Sequence, residues 1–265
     1  MRCMFICTMA VAVLFLSPLY ALEKPTPAGD KSPSTITVAA AADLQYALSE
    51  AARVFQDASG ITVKTVFGST GKLTTQIMAG APFDIFLAAN MAYPETLYIK
   101  GLAVTKPTIY LYGILVLWTV RGVDLNNGLR SLLDTAVKKI ALPDPRHAPY
   151  GQAAVAALKQ AGLYDSVSPK FVFGDNISQA AQFISSGSVE IGFNSKAIVV
   201  SPQMAGKGQW IELPTESYPK IAQGAVILKY GQDHNPEAAK QFYDFILGEK
   251  ARAICLKYGF VLPAK

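Results

Sequence analysis

The chain has 265 residues, of which 51% are hydrophobic and 16% charged, and its formal net charge is +5. That length is enough to bury a substantial core, and the low, mixed charge excludes a disordered chain. Three cysteines and two histidines argue against a disulfide scaffold and against a His/Cys metal site. The basic residues are spread along the sequence, which argues against a nucleic-acid-binding surface.

The first residues have the pattern of a secretory signal peptide. Arg2 precedes the apolar run MFICTMAVAVLFL, which is followed by SPLYA, and we predict cleavage after Ala21 (signal peptide 1–21). The run is too short for a stable membrane span. Residues 22–34, rich in Pro, Lys and Gly, predict a flexible lead-in. The mature protein is therefore expected in the periplasm, with Cys255 as its one cysteine.

The first half of the mature chain alternates between short apolar runs and amphipathic segments. This pattern predicts strands at 35–41, 61–67 and 83–88, with helices after Asp43, at 72–80 and at 92–101. A β-α-β-α-β-α order predicts a mainly parallel sheet flanked by helices.

A second β/α set follows, bracketed by two apolar strands at 114–120 and 225–229. Between them the pattern predicts strands at 139–142, 170–173 and 189–193 and helices near 129–135, 151–161 and 177–186. Helices near 236–247 and 249–258 close the chain. We therefore expect an α/β protein of two lobes, the first discontinuous (35–115 plus 226–265) and the second at 116–225. A cleft between lobes is a common place for a small ligand, and hinge closure is the expected motion.

Four segments share one design, in which a strand ends in small or polar residues and a helix then begins. They are AAAD (40–43), GSTG (68–71), APYG (148–151) and GDNIS (174–178). In parallel α/β sheets these strand ends lie at the edge where ligands bind. Each helix start leaves backbone N–H groups unpaired and carries a partial positive charge. Together the segments predict an anion site built from neutral donors, and their small residues permit close backbone approach.

Several stretches, in this order and spacing, carry a resemblance to a known family. They are TITVAAAADL (35–44), FGSTGKL (67–73), GAPFDIFLAAN (80–90), PDPRHAPYGQAA (143–154), FGDNISQAAQFISSG (173–187) and KYGF (257–260). They resemble the periplasmic molybdate-binding component of ABC transporters, which has the type II solute-binding-protein fold. The resemblance covers most of the mature chain.

The resemblance implies a tetrahedral oxyanion, molybdate or tungstate, held through its oxygens by hydroxyls and backbone N–H groups. The corresponding positions here are Asp43, Ser69, Thr70, Tyr150, Ile177 and Ser195, where Tyr150 and Ile177 contribute backbone N–H groups. It also implies a non-enzymatic protein with no catalytic residue and no cofactor. The implied partners are a membrane permease and its ATPase, without nucleic acid, and we expect a monomer.

Two of these positions depart from the family pattern. Ser195 stands where the family has a longer Tyr. Asp43 stands where the family has a Ser, and an ionised carboxylate accepts hydrogen bonds without donating any. Three explanations are open: Asp43 caps its own helix, it pairs with a cation such as Lys72 or Lys196, or it accepts a hydrogen bond from a protonated oxyanion. The third would select a different oxyanion. An exported enzyme or a ligand sensor are further, less favoured functions.

Overall fold

A computed structural model describes residues 34–264. The predicted signal peptide, and the lead-in except for Ser34, lie outside the described residues. The first of two five-stranded sheets has the spatial order β2-β1-β3-β10-β4. Its strands are β1 (Thr35–Ala41), β2 (Thr62–Gly68), β3 (Ile85–Ala88), β4 (Thr108–Gly113) and β10 (Ile221–Ile227). β1, β2 and β3 are parallel, whereas β10 runs antiparallel between β3 and β4.

The second sheet repeats this plan in the spatial order β7-β6-β8-β5-β9. Its strands are β5 (Leu115–Thr119), β6 (Ile140–Pro143), β7 (Phe171–Gly174), β8 (Ile191–Ser195) and β9 (Gln209–Glu212). β6, β7 and β8 are parallel, and β5 is antiparallel to both β8 and β9. Each sheet therefore has a parallel group of three strands, as predicted, and two further strands that make it mixed.

Helices connect and flank the strands. They are α1 (Gln45–Ser59), α2 (Thr70–Met78), α3 (Ala92–Ile99), α4 (Pro149–Gln160), α5 (Tyr164–Val167), α6 (Ile177–Ser185), α7 (Lys196–Val199), α8 (Lys229–His234), α9 (Pro236–Leu247) and α10 (Glu249–Lys257). Short 3-10 turns occupy Ala42–Leu44, Gly128–Leu133, Ser168–Lys170 and Thr215–Ser217. Within residues 34–264, no helix is both long and apolar enough to cross a membrane.

The chain crosses between the sheets twice. It leaves the first sheet after Gly113 and enters the second at Leu115. It re-enters the first sheet at Ile221, four residues before the predicted strand, because β10 extends back along β4. The sequence pattern does not predict β4 or β9. Both are edge strands, and each lies antiparallel to one neighbour.

Packing of aromatic side chains fixes α1 and α9 against one another beside the first sheet. Phe55 and Phe242 meet edge to face with their ring centroids 5.0 Å apart, and both are buried. Such pairs add about 0.5–1.5 kcal/mol beyond the burial of their area. This packing anchors α1, the helix that follows Asp43, against α9.

Candidate functional site

The four segments singled out in the sequence converge on one small pocket with a cavity volume of about 10 Å³. Its lining residues are Ala41, Ala42, Asp43, Gly68, Ser69, Thr70, Ala89, Ala148, Pro149, Tyr150, Asn176 and Ile177. They come from the carboxyl ends of parallel strands in both sheets, as the strand order requires. Pockets for drug-sized ligands are larger, about 300–1,000 Å³. The pocket therefore suits a ligand of few atoms.

Two hydroxyls face this pocket with protons to donate. Ser69 is 5% exposed, and its Oγ has no hydrogen-bond partner. Thr70 Oγ1 accepts from the Ala89 N–H at 3.1 Å. A hydroxyl that accepts one bond still carries its own proton, so Thr70 can donate as well. Leaving a buried polar atom unpaired costs about 1–3 kcal/mol, and a ligand oxygen would supply the missing acceptor for Ser69.

Three helices begin at the pocket wall, at Thr70, Pro149 and Ile177. The N–H groups of a first turn have no acceptor within their own helix, and they favour an anion. Asn176 accepts from the Gln179 N–H at 3.0 Å. This cap satisfies a later N–H of α6 and leaves that of Ile177 at the pocket wall. The backbone positions predicted at Tyr150 and Ile177 therefore both line the pocket.

Asp43 is 1% exposed and is held by neutral donors from two other elements. Its Oδ2 accepts from the Tyr150 hydroxyl at 3.0 Å and from Gln223 Nε2. The Tyr110 hydroxyl donates to Gln223 Oε1 at 3.4 Å, which orients the Gln223 amide with its NH₂ group toward Asp43. The other carboxyl oxygen, Oδ1, is buried and has no partner.

Burial has the largest effect on the pKa of the Asp43 carboxyl. Desolvation raises the pKa of Asp43 from 3.8 to about 6, against the opposing effect of the Tyr150 and Gln223 hydrogen bonds. Burial and the neighbouring Asp43 carboxylate also raise the pKa of Tyr150 well above 10. Without ligand the carboxyl is therefore mostly ionised at neutral pH and gains a proton as the pH falls through about 6, whereas the phenol keeps its own proton.

The structure contradicts two of the three explanations for Asp43. The capping explanation is wrong, because the hydrogen bonds of the Asp43 carboxyl come from Tyr150 and Gln223. The backbone N–H groups of Asp43 and Leu44 have only a smaller effect on its pKa. The pairing explanation is also wrong, because Lys72 pairs with Asp175 and Lys196 pairs with Glu212. A proton between Asp43 and the ligand stays a prediction.

The pocket does not include Ser195. This residue ends β8 and is fully buried, and its Oγ accepts from the Ile198 N–H at 3.3 Å to cap α7. Its hydroxyl therefore bonds the start of the next helix at a position outside the pocket lining. The other five predicted positions all line the pocket.

Two residues at the site were not predicted from the sequence, Gln223 and Gly113. Gln223 lies 180 residues from Asp43 along the chain, so no local pattern connects them. A Cβ on Gly113 would lie 2.1 Å from the Tyr150 hydroxyl. Glycine is therefore needed where the chain leaves the first sheet, because the Tyr150 ring packs against that backbone.

Contacts between segments of the two sheets surround the pocket. The Gly71 N–H donates to the His147 carbonyl at 2.9 Å, and the Ser178 hydroxyl donates to Gln45 Oε1 at 2.7 Å. The Lys72–Asp175 ion pair lies at the same rim. These contacts, together with Tyr150–Asp43, link the two sheets on either side of the pocket.

The pocket lining has neither metal-ligand nor cationic character. Within residues 34–264, no group of three or more His, Cys, Asp or Glu side chains is arranged to hold a metal ion. Among the lining residues, all of which are described, none is a Lys, Arg, His or Cys. The pocket therefore offers hydroxyls, backbone N–H groups and one carboxyl.

Residues 36–261 match the model of a protein family described as bacterial extracellular solute-binding protein. The chain belongs to this family. It is 33% identical to the molybdate-binding protein ModA of Rhodobacter capsulatus over 96% of this chain and 97% of that protein. It is 36% identical to ModA of Azotobacter vinelandii over 86% of this chain and 90% of that protein.

A solved structure agrees with these sequence relatives. The periplasmic molybdate-binding protein of Azotobacter vinelandii superposes with a TM-score of 0.82 and 31% identity, covering 86% of this chain and all of that one. The expected two-sheet, type II solute-binding fold is thereby confirmed. The relatives are named for binding a solute, and none of these names describes an enzyme.

Proposed function

We propose that this chain is a periplasmic solute-binding protein that captures molybdate or tungstate for uptake by an ABC transporter. The observation that carries the proposal is the pocket itself, where the unpaired hydroxyl of Ser69, the hydroxyl of Thr70 and three helix starts line a small space without a cationic side chain. The relatives support it, since those named ModA are molybdate-binding proteins.

The binding chemistry follows from the donors. A tetrahedral dianion accepts hydrogen bonds from Ser69, Thr70 and the first-turn N–H groups of Tyr150 and Ile177. Bonds to a charged acceptor are worth about 1.5–3 kcal/mol each, and the helix starts add favourable dipoles. Backbone donors are already in position, so binding carries little ordering cost.

The same pocket gives no support to catalysis. Nucleophilic catalysis needs a nucleophile beside an activating base, and the hydroxyl of Ser69 has no hydrogen-bond partner at all. We therefore propose a binding protein without catalytic residue or cofactor. Export by the signal peptide, function as a monomer, and delivery to a permease with its ATPase belong to the same proposal.

Asp43 favours a second candidate ligand within the same class. An oxyanion that already carries a proton, such as hydrogenphosphate, could donate a hydrogen bond to Oδ1 of the ionised Asp43. The protonation of the protein would then stay the same on binding. Molybdate and tungstate remain the leading candidates because the matched relatives are named for molybdate.

Thermal unfolding of residues 22–265 with molybdate, tungstate, sulfate, phosphate and chromate tests the proposal. A ligand that binds the native state stabilises it by about 2.7 kcal/mol at a concentration of 100 times its Kd. We expect the melting temperature to rise with the logarithm of molybdate and tungstate concentration, and much less with sulfate. A rise with phosphate alone would favour the second candidate. Melting curves that none of the five anions shifts from that of the ligand-free protein would contradict the proposal.

A further inference from the structure

An acidic side chain faces the pocket that is proposed to hold an anion. Asp43 lines it with Oδ1 buried and unpartnered, while Oδ2 is occupied by Tyr150 and Gln223. An ionised Oδ1 would face a ligand oxygen at close range and repel it. The protonation state of this carboxyl in the complex is therefore decisive, and any inference about it rests on the proposed function.

The surroundings of Asp43 do not offer a cation that could neutralise it. The ionisable side chains that face it are Tyr150 from α4, Tyr110 from β4 and Cys255 from α10, and β10 contributes the neutral Gln223. The two phenols and the thiol are uncharged at neutral pH, since burial raises the pKa of each, that of Cys255 to about 12.

The charged groups on the adjoining elements are paired with one another or exposed, except Arg252 of α10, which is half-buried outside the ion pairs and is not among the groups that shift the pKa of Asp43. The pairs are Glu50 of α1 with Lys257, Lys72 of α2 with Asp175 before α6, and Lys196 of α7 with Glu212. Lys64 of β2 is exposed to solvent. His147, which precedes α4, is the imidazole at the rim, and its Nε2 lies 3.5 Å from Asp144 Oδ2. Neutralisation of Asp43 therefore has to come from a proton.

We propose that the bound complex holds one proton between Asp43 Oδ1 and an oxygen of the oxyanion, so that capture of a fully ionised oxyanion takes up one proton from solution. The balance is one carboxylate, one dianion and one proton giving a carboxylic acid hydrogen-bonded to the dianion. No covalent bond to the ligand forms or breaks.

The donors on Oδ2 decide where this proton lies. Tyr150 and Gln223 both direct hydrogens at Oδ2, which leaves Oδ1 as the oxygen to be protonated. A protonated Oδ1 becomes a donor on a residue of the pocket wall and can take the place of a hydroxyl. The same donors would orient an amide at this position, with its oxygen toward Tyr150 and its NH₂ toward the ligand. Asp43→Asn is therefore a permanent mimic of the protonated acid.

The expected pH dependence has a definite sign. Burial raises the pKa of Asp43 to about 6 before ligand binds. Above that pH the ligand-free carboxyl is ionised and must be protonated on binding, so the Kd for molybdate should rise about tenfold per pH unit. Below it the proton is already present, and the Kd should level off.

Calorimetric titration of residues 22–265 with sodium molybdate between pH 5.5 and 8.5 tests this linkage. Repeating the titration in two buffers of different ionisation enthalpy measures proton uptake directly, and near pH 8 it should approach one per ligand. Asp43→Asn should bind molybdate with a flat pH profile and no uptake. His147→Gln and Asp165→Asn, an exposed Asp outside the pocket, are controls that should keep the wild-type slope.

The outcomes separate this inference from the proposed function. Molybdate binding with a flat profile in the wild type, or with an unchanged slope in Asp43→Asn, would overturn the proton-sharing inference alone. Loss of the slope in His147→Gln would assign the linkage to His147 and overturn it too. Absence of molybdate binding by all variants at every pH would overturn the proposed function, and this inference with it.

The pH dependence of the melting temperature without ligand tests the ionisation of the same carboxyl. Because the folded-state pKa is raised, Asp43 contributes stability below about pH 4 that is lost as the pH rises through about 6. The melting temperature of Asp43→Asn should therefore exceed that of the wild type above pH 7, with the advantage disappearing toward pH 4. A difference that does not change with pH would contradict an ionisable, buried Asp43.

Discussion

At the scale of single residues, the position of Ser69 gives the strongest support for a contact with the ligand. Its Oγ is buried without a partner and lies on the pocket wall. Ser131 is an apt comparison, because it is also 5% exposed with an unpartnered Oγ but does not line the pocket. The two serines differ in whether an anion can reach them.

Replacing each serine by alanine tests that difference. Loss of one hydrogen bond to a charged ligand costs about 1.5–3 kcal/mol, so Ser69→Ala should raise the Kd for molybdate about 10- to 100-fold. Ser131→Ala should leave it unchanged. Titration calorimetry at one pH measures both, and equal Kd values for the two variants would remove Ser69 from the site.

The residue scale also shows where prediction from sequence ends. Asp43, Ser69 and Thr70 follow strand ends in the sequence, so their meeting could be predicted from topology alone. The surroundings of Asp43 could not, because Gln223 comes from a strand 180 residues away. Ser195 has a hydroxyl suited to a ligand, yet the start of α7 uses it as a cap.

At the scale of elements, the site depends on where helices begin and where strands cross. α2, α4 and α6 each start at the pocket, and the small residues before them were enough to predict this. The edge strands β4 and β9 were harder to predict: β4 (TIYLYG) runs almost directly into the apolar β5, and β9 (QWIE) has only four residues. β4 ends at Gly113, the residue that makes room for Tyr150.

Gly113→Ala tests this crossing. The added Cβ would lie 2.1 Å from the Tyr150 hydroxyl and 2.9 Å from Cζ, so the ring must move away from Asp43. Overpacking of this kind costs about 1–3 kcal/mol. Denaturant unfolding should show that loss, and molybdate affinity should fall at least tenfold. Adding Tyr150→Phe removes the closest atom and should restore part of the stability. Wild-type stability and affinity in Gly113→Ala would contradict this role.

At the scale of the whole molecule, residues 34–264 form two mixed sheets joined by two crossings, with one pocket built from the strand ends of both. The division into lobes at 35–115 plus 226–265 and 116–225 is kept as a proposal, with the return crossing moved to just before Ile221. Alternating β and α patterns made this architecture predictable. The pairing of β10 with β4 depends on contacts far apart in sequence, which no local pattern reveals.

The proposed function requires this pocket to hold a molybdate or tungstate ion. Crystals of the mature chain grown with tungstate, measured at the tungsten absorption edge, locate the ion without any assumption about its site. We predict one strong anomalous peak per chain, with oxygens in hydrogen-bond reach of Ser69 Oγ, Thr70 Oγ1 and Asp43 Oδ1. A peak bound elsewhere on the protein, or no peak although the crystals grew in tungstate, would contradict the proposed function.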